Sequence, residues 1–269
     1  MTILSPVVRI GCWNVNSLRV RLPLVESWLK TERIDMALLQ ETKVMDGDFP
    51  EQAFSNAGYY CAFWGQKTYN GVAILSRWPL SDVVRLDLNG TGAARCIQAI
   101  TQGFRICCVY IPQGQDFDRP AFGEKLAFLN GLSHHMAPYV QDFTPTIIGG
   151  DFNIALHDED VWDADLWRNR VMCSTPERKE LRKILWTGWT MAQRHMKGQK
   201  NPATWWAYQH GAWPKQHGLC IDSFLLSPGA SDLLSSFWVS QHWRGQHQPS
   251  DHAPIGLELC ARNPLPPTF

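Results

Sequence analysis

Six short apolar runs in this chain end on, or are broken by, a carboxylate, an amide, a phenol or an imidazole. Val7–Val15, rich in β-branched and aromatic residues, closes on Asn14 and Asn16. Met36–Gln40 closes on Gln40 and Glu41, and Phe104–Tyr110 on Tyr110. Asp151 and Asn153 follow Thr144–Gly150, Asp222 breaks CIDSFLL, and Asp251 and His252 precede APIGLEL. Runs of this length and composition are strand formers. A sheet gathers its strand ends in space, where a rigid scaffold can present polar groups on loops. The pattern therefore predicts one region supplied by six strands.

The rest of the chain restricts the topology further. Tyr59–Trp64, Gly71–Ser76 and Asp82–Leu86 follow one another without room for helices between them. RCIQAI and FRICCVY flank the turn TQG, a hairpin signal. A helix is predicted from Pro23, with Val25, Trp28 and Leu29 on one face. Others are predicted over Phe122–Val140 and, behind a Ser174 cap, over Thr175–Trp186. ATWWAY (residues 203–208) reads as a late strand. Meandering strands mixed with helices, without βαβ alternation, predict an α/β fold of two packed mixed or antiparallel sheets with helices outside. No Pro/Gly/Ser-rich linker divides the chain, so residues 1–261 read as one domain and 262–269 as a disordered tail.

Composition excludes several classes. Of 269 residues, 45% are hydrophobic and 19% charged, which is globular rather than disordered. The 25 basic and 25 acidic residues cancel, which speaks against a histone-like binder but leaves room for a local basic stripe. Such a stretch runs from Arg168 to Lys200: nine basic residues (Arg168, Arg170, Arg178, Lys179, Arg182, Lys183, Arg194, Lys197, Lys200) against Glu177 and Glu180. The eight cysteines form no CxxC, and adjacent Cys107 and Cys108 would point to opposite faces of a strand. With no signal-peptide pattern and no run of 18 apolar residues, the chain reads as soluble, reduced and cytoplasmic, without a membrane partner.

The strand-end residues suggest a chemistry. Carboxylates of Glu41, Asp151 and Asp251, with amide oxygens of Asn14, Asn16 and Asn153, are hard oxygen donors that suit Mg2+ or Mn2+ and fit Zn2+ poorly. His252 can hold a proton or stabilise a phosphoryl oxygen, and Asp222 can orient it. Each residue alone reads as a turn, a cap or a half-buried aromatic; together they describe metal-assisted hydrolysis of a phosphate ester.

The segments WNVNSLR, LLQETK, YIPQG, GGDFN, TWWAY, GLCID and SDHAP resemble those of the endonuclease/exonuclease/phosphatase superfamily, and within it the bacterial exonuclease III family of abasic-site endonucleases. The likeness runs in family order from about Val7 to Leu259. It implies a four-layered α/β/β/α sandwich, deoxyribonuclease I-like, with the site at one edge of both sheets. It also implies Mg2+-dependent incision 5′ to abasic sites and 3′→5′ exonuclease and 3′-phosphoesterase action on duplex DNA, as a monomer. By resemblance, Glu41 is the main metal ligand, with Asn14, Asp251, Asp151, Asn153 and His252 around it. Asp151 activates water, Asn153 steadies it or the phosphate, Asp222 and His252 contact the scissile phosphate, and Tyr110 touches the phosphate or the leaving group. By resemblance, too, Trp205 walls a pocket for an extruded abasic sugar, with Leu219 and Ile221 near it. Arg95 and Lys125, from their place near the motifs, and the Gln113 amide, in the PQG turn, are candidate DNA contacts. Trp205 and Trp206, as strand neighbours, face opposite ways, so one can pack in the core. Two positions depart from the family: Cys220 stands where Arg is common, and Ser223 where a larger residue is. Two other functions stay open: a different hydrolase of the superfamily, acting on nucleic acid or lipid and inositol phosphates, and a non-catalytic nucleic-acid-binding module.

Overall fold

The computed structural model describes residues 7–195 and 202–260. Twelve strands form two sheets. One contains β1 (Val7–Asn14), β2 (Met36–Gln40), β3 (Tyr60–Trp64), β4 (Val72–Ser76), β11 (Leu234–Val239) and β12 (Ile255–Cys260). The other contains β5 (Ser81–Arg85), β6 (Cys96–Thr101), β7 (Phe104–Tyr110), β8 (Thr146–Asp151), β9 (Thr190–Met191) and β10 (Asp222–Leu226). Their orders are β11-β12-β1-β2-β4-β3 and β5-β6-β7-β8-β10-β9. Each sheet is mixed, with one parallel pair at its centre: β1 beside β2, and β7 beside β8.

Alternation along the strands builds the layers. Ile10, Leu38, Ile106, Phe224 and Leu257 meet between the sheets in one apolar core. On the outer face of the first sheet, α1 (Leu18–Thr31) and α2 (Glu51–Asn56) bury Leu18, Val25, Trp28 and Phe54 against Trp13 and Leu39. On the outer face of the second, α3 (Pro120–Met136) and α5 (Thr175–Trp186) bury Phe128, Leu132, Leu181 and Ile184 against Cys107 and Ile148. The short α4 (Ala164–Trp167) lies in the loop between β8 and α5. The result is the four-layered sandwich that the sequence implies. Cys107 and Cys108 belong to different cores, and all eight cysteines are free.

Three local expectations need correction, and one strand, β11, is new. The first helix begins at Leu18, and Pro23 lies inside it. Pro23 is exposed, so the carbonyl it leaves unbonded can be hydrated. β8 does not stop at its glycines but continues to Asp151. Both glycines are there for space: a Cβ at Gly149 would sit 2.6 Å from Leu38 and Phe224 side-chain atoms, and one at Gly150 1.9 Å from the Val109 carbonyl. ATWWAY forms no named strand; Trp205 makes isolated bridges to Leu219 and His252. β11 has no strong sequence signal, because Ser235 and Ser236 break its apolar alternation. The expected tail, 262–269, lies outside the described residues, as do Lys197 and Lys200.

Candidate active site

All six strand ends converge, as the sequence predicts. Register explains much of it. Tyr110 pairs with Asp151 across β7 and β8, Asp151 with Asp222 across β8 and β10, and Asn14 with Gln40 across β1 and β2. Several residues here adopt left-handed backbone conformations: Asn16 (φ 43°), Glu41 (φ 51°), Lys43 (φ 54°) and Asn153 (φ 50°). Such conformations are costly for residues other than glycine and concentrate at functional sites.

The centre is a buried cluster. His252 Nδ1 lies 2.9 Å from Asp222 Oδ2, and its Nε2 lies 3.7 Å from Asp151 Oδ2. The three side chains are only 2–4% exposed. Asp151 Oδ1 accepts the Asn153 amide (2.9 Å); Oδ2 accepts Nδ2 of Asn14 (3.0 Å) and of Asn153 (3.1 Å). Asn153 Nδ2 also donates to the Ile111 carbonyl at 3.0 Å, fixing the side chain that holds Asp151. Two hydroxyls not singled out from sequence support the cluster. Thr204 Oγ1 accepts the backbone N–H groups of Ile221 and Asp222, and Ser250 Oγ accepts that of His252 while donating to the Asn14 carbonyl. A buried hydroxyl in TWWAY or SDHAP has no period or charge to mark it in sequence.

Electrostatics assign roles. Burial raises Asp151 to about 7; Asp222 adds to the rise, and His252 opposes it. Burial would lower His252, but Asp222 and Asp151 overrule it and hold the imidazole at about 10. Burial, with Glu41 and Asp151 beside it, pushes the Tyr110 hydroxyl well above its usual value. At neutral pH His252 is therefore a cation and Tyr110 a phenol, both donors, and Asp151 is the group poised to take a proton.

A second, more open group adjoins the first. Asn14 Nδ2 donates to Glu41 Oε1 (2.8 Å) as well as to Asp151, bringing the two carboxylates to one donor. Lys43 pairs with Glu41 Oε2 at 2.8 Å. Asp251 sits apart: its Oδ1 accepts Asn16 Nδ2 (3.0 Å) and its Oδ2 accepts the Trp205 indole (3.0 Å). The donor set fits a hard divalent cation, since Glu41 and Asp151 supply carboxylate oxygens at the edge of the cluster and Asp222 Oδ1 is buried without a hydrogen-bond partner. The tightest group of candidate ligand atoms among the described residues is Asp151, Asp222 and His252, within 4.8 Å of one another. Asp222 is thus a candidate ligand beyond the set that the resemblance implies, and Asn14 turns nitrogen rather than oxygen towards the carboxylates.

Two adjoining cavities form a groove past the cluster. One, of about 410 Å3, is lined by Glu41, Tyr69, Arg95, Tyr110 and Gln113. The other, of about 480 Å3, is lined by Gln113, Phe117, Trp167, Arg170, Met172 and Trp205. Arg95 lies over the Tyr110 ring, 4.6 Å from its centroid. Trp205 is half-buried and Trp206 fully buried, the division that the sequence predicts. Leu219 and Ile221 are buried behind Trp205, so they back the wall without reaching its surface.

One expectation about basic residues fails. Lys125 is 0% exposed and makes an ion pair with Glu177, so it is not a surface contact for DNA. Three of the nine basic residues in the stretch pair with acids just upstream of it: Arg168 with Asp165, Arg178 with Asp158, and Arg194 with Glu159 and Asp160. Arg170 lies near the Trp167 ring and lines the larger cavity. The departures are internal. Cys220 is buried, with its N–H on the Asp160 carbonyl, and Ser223 Oγ accepts Gln193 Nε2 at 2.6 Å.

The sequence matches the Endonuclease/Exonuclease/phosphatase family over residues 11–252, and the chain belongs to that family. It is a nuclease of the exodeoxyribonuclease III type. It is 29% identical to exodeoxyribonuclease III of Haemophilus influenzae, over 92% of this chain and 98% of that protein. Among solved structures it is similar to the 3′ phosphatase NExo from Neisseria bound to a product DNA hairpin, with 35% identity, a TM-score of 0.91 and coverage of 94% and 99%. It is also similar to an AP endonuclease from Archaeoglobus fulgidus, with 32% identity, a TM-score of 0.88 and coverage of 93% and 98%.

Proposed function

We propose that this chain is a Mg2+-dependent DNA-repair phosphodiesterase that incises duplex DNA 5′ to abasic sites and also acts at 3′ ends, as exonuclease and phosphoesterase. It would work in the cytoplasm as a monomer. No described helix is long and apolar enough to cross a membrane. The observation that carries the reading is the buried Asp151–Asp222–His252 cluster beside a groove walled by Trp205.

Asp151, held by Asn14 and Asn153, accepts the proton of the attacking water. His252, kept cationic and oriented by Asp222, presents Nε2 to a phosphoryl oxygen as negative charge grows on it. Tyr110 donates from the end of β7, beside Asp151 at the end of β8. Mg2+ held by Glu41 and Asp151 would neutralise phosphate charge and acidify bound water. Trp205, with Phe117 and Trp167 across the cavity, offers an apolar seat for a sugar that has lost its base, and extrusion is cheapest where no base is stacked. The likeness to both a 3′ phosphatase and an AP endonuclease supports keeping both substrates in the proposal.

Purified protein with Mg2+ or EDTA on three duplexes tests it: one intact, one with a single abasic site, one ending in a 3′-phosphate. Mg2+-dependent incision confined to the modified duplexes is the expected result. Equal internal cutting of intact and abasic DNA would remove the abasic specificity. Binding without Mg2+-dependent cleavage would remove the enzymatic reading.

A further inference from the structure

Lys125 and Glu177 lie directly behind the reaction centre, both fully buried. The ammonium has three protons and three acceptors: Glu177 Oε1, the Asn153 carbonyl at 2.8 Å and the Gln113 carbonyl at 3.1 Å. Glu177 is equally saturated. Its Oε1 also accepts the Met172 amide at 2.9 Å, and its Oε2 accepts the amide (3.1 Å) and the hydroxyl of Ser174. Gly114, at φ +96°, packs on the Lys125 stem, and a Cβ there would stand 3.2 Å from Lys125 Cδ.

Two side chains thus tie three segments of chain to one point. Each segment carries a group at the groove: Gln113 and Met172 line the larger cavity, and Asn153 braces Asp151. A well-packed apolar pair could fill the same space without desolvating two charges. What such a pair lacks is directed hydrogen bonds to the two carbonyls.

We propose that the Lys125–Glu177 pair is a positioning device for the nuclease reaction, fixing the Asn153 turn and the Gln113 loop relative to each other so that Asp151 faces the scissile phosphate. This rests on the nuclease reading of the site. Lys125 and Glu177 are positioning residues; neither reaches the groove. Misplacement by about 1 Å at a reacting group can cost on the order of a hundredfold in rate.

The test separates placement from folding. In the full chain, the double variant Lys125→Met/Glu177→Met removes both charges while keeping long apolar side chains. The expected result is a thermal midpoint near that of the wild type, a single-turnover cleavage rate lowered by about tenfold or more, and a DNA Kd changed by less than about threefold. A rate within about twofold of wild type in the folded double variant would overturn the proposal, since the tethers would then be dispensable. Should that variant not fold, Glu177→Gln decides. It keeps the size of the side chain and removes the charge that holds Lys125. A single-turnover rate lowered by about tenfold or more with the DNA Kd within about threefold of wild type supports the proposal; a rate within about twofold of wild type overturns it. A wild-type protein inert on every DNA substrate would instead refute the nuclease reading, and the proposal with it.

Discussion

The two halves of the reaction centre differ in how they meet water. Asp151, Asp222 and His252 are 2–4% exposed and hold one another, whereas Glu41 and Lys43 are 18% and 25% exposed and face the groove. Burial raises Asp151 to about 7, while the Asp222 and Asp151 carboxylates raise His252 to about 10 against the effect of burial. The second group sits where solvent screens charge and ions can exchange. Placement in a dry pocket makes proton chemistry at neutral pH; placement at a wet edge makes a site that a cation can enter.

That contrast can be broken most severely at its buried end. Asp151→Asn keeps the shape and removes the proton acceptor, and a single-turnover assay should lose on the order of 10³-fold or more of the cleavage rate. Retention of full cleavage would sink the assignment. His252→Gln removes the buried cation and should cost about 10²-fold or more in kcat with little change in KM, as expected of a group that acts in the transition state. Asp222→Asn is subtler, because it removes the carboxylate that does most to raise His252. The active form has Asp151 ionised and His252 protonated, so kcat/KM should rise through about pH 7 and fall through about pH 10. In Asp222→Asn the alkaline limb should move down, and added Mg2+ should move the acid limb down by favouring the ionised carboxylate. An alkaline limb that stays in place would assign it to another group.

At the wet edge, Glu41→Gln should cost less, about tenfold at low Mg2+, and a Mg2+ titration should recover most of the loss. A deficit that is unmoved by Mg2+ would make Glu41 a structural residue. The smallest effect lies outside the site. Asp158→Asn removes the charge of an exposed partner of Arg178 and should leave the denaturant unfolding curve essentially unmoved. In contrast, breaking the buried pair with Lys125→Met alone strands the Glu177 carboxylate and should destabilise by about 3–5 kcal/mol in denaturant titration.

Much of the site was legible because strands punctuate it. Polar residues at the ends of apolar runs are visible in one dimension, and Asn14, Glu41, Tyr110, Asp151, Asn153, Asp222 and His252 all arrive together. Lys125 was misread for a physical reason. A lysine beside a glycine-containing loop looks like a surface contact until its partner is known, and that partner is 52 residues away on another helix. The charge of the basic stretch is smaller in the fold than in one dimension for a similar reason: Arg178 and Arg194 pair with Asp158 and Asp160, which precede the stretch. Thr204, Ser250 and Arg170 act through where they lie, with no periodicity to announce them.

The sequence by itself determined most of the strands, which of their ends are polar and what chemistry those groups suit, because hydrophobic alternation and residue type are local properties. Only the tertiary structure decided which charges are dry, which are paired and which line the groove. Those depend on neighbours far along the chain: their packing desolvates Asp151 and makes it a base, and the carboxylates of Asp222 and Asp151 hold His252 as a cation against that same desolvation.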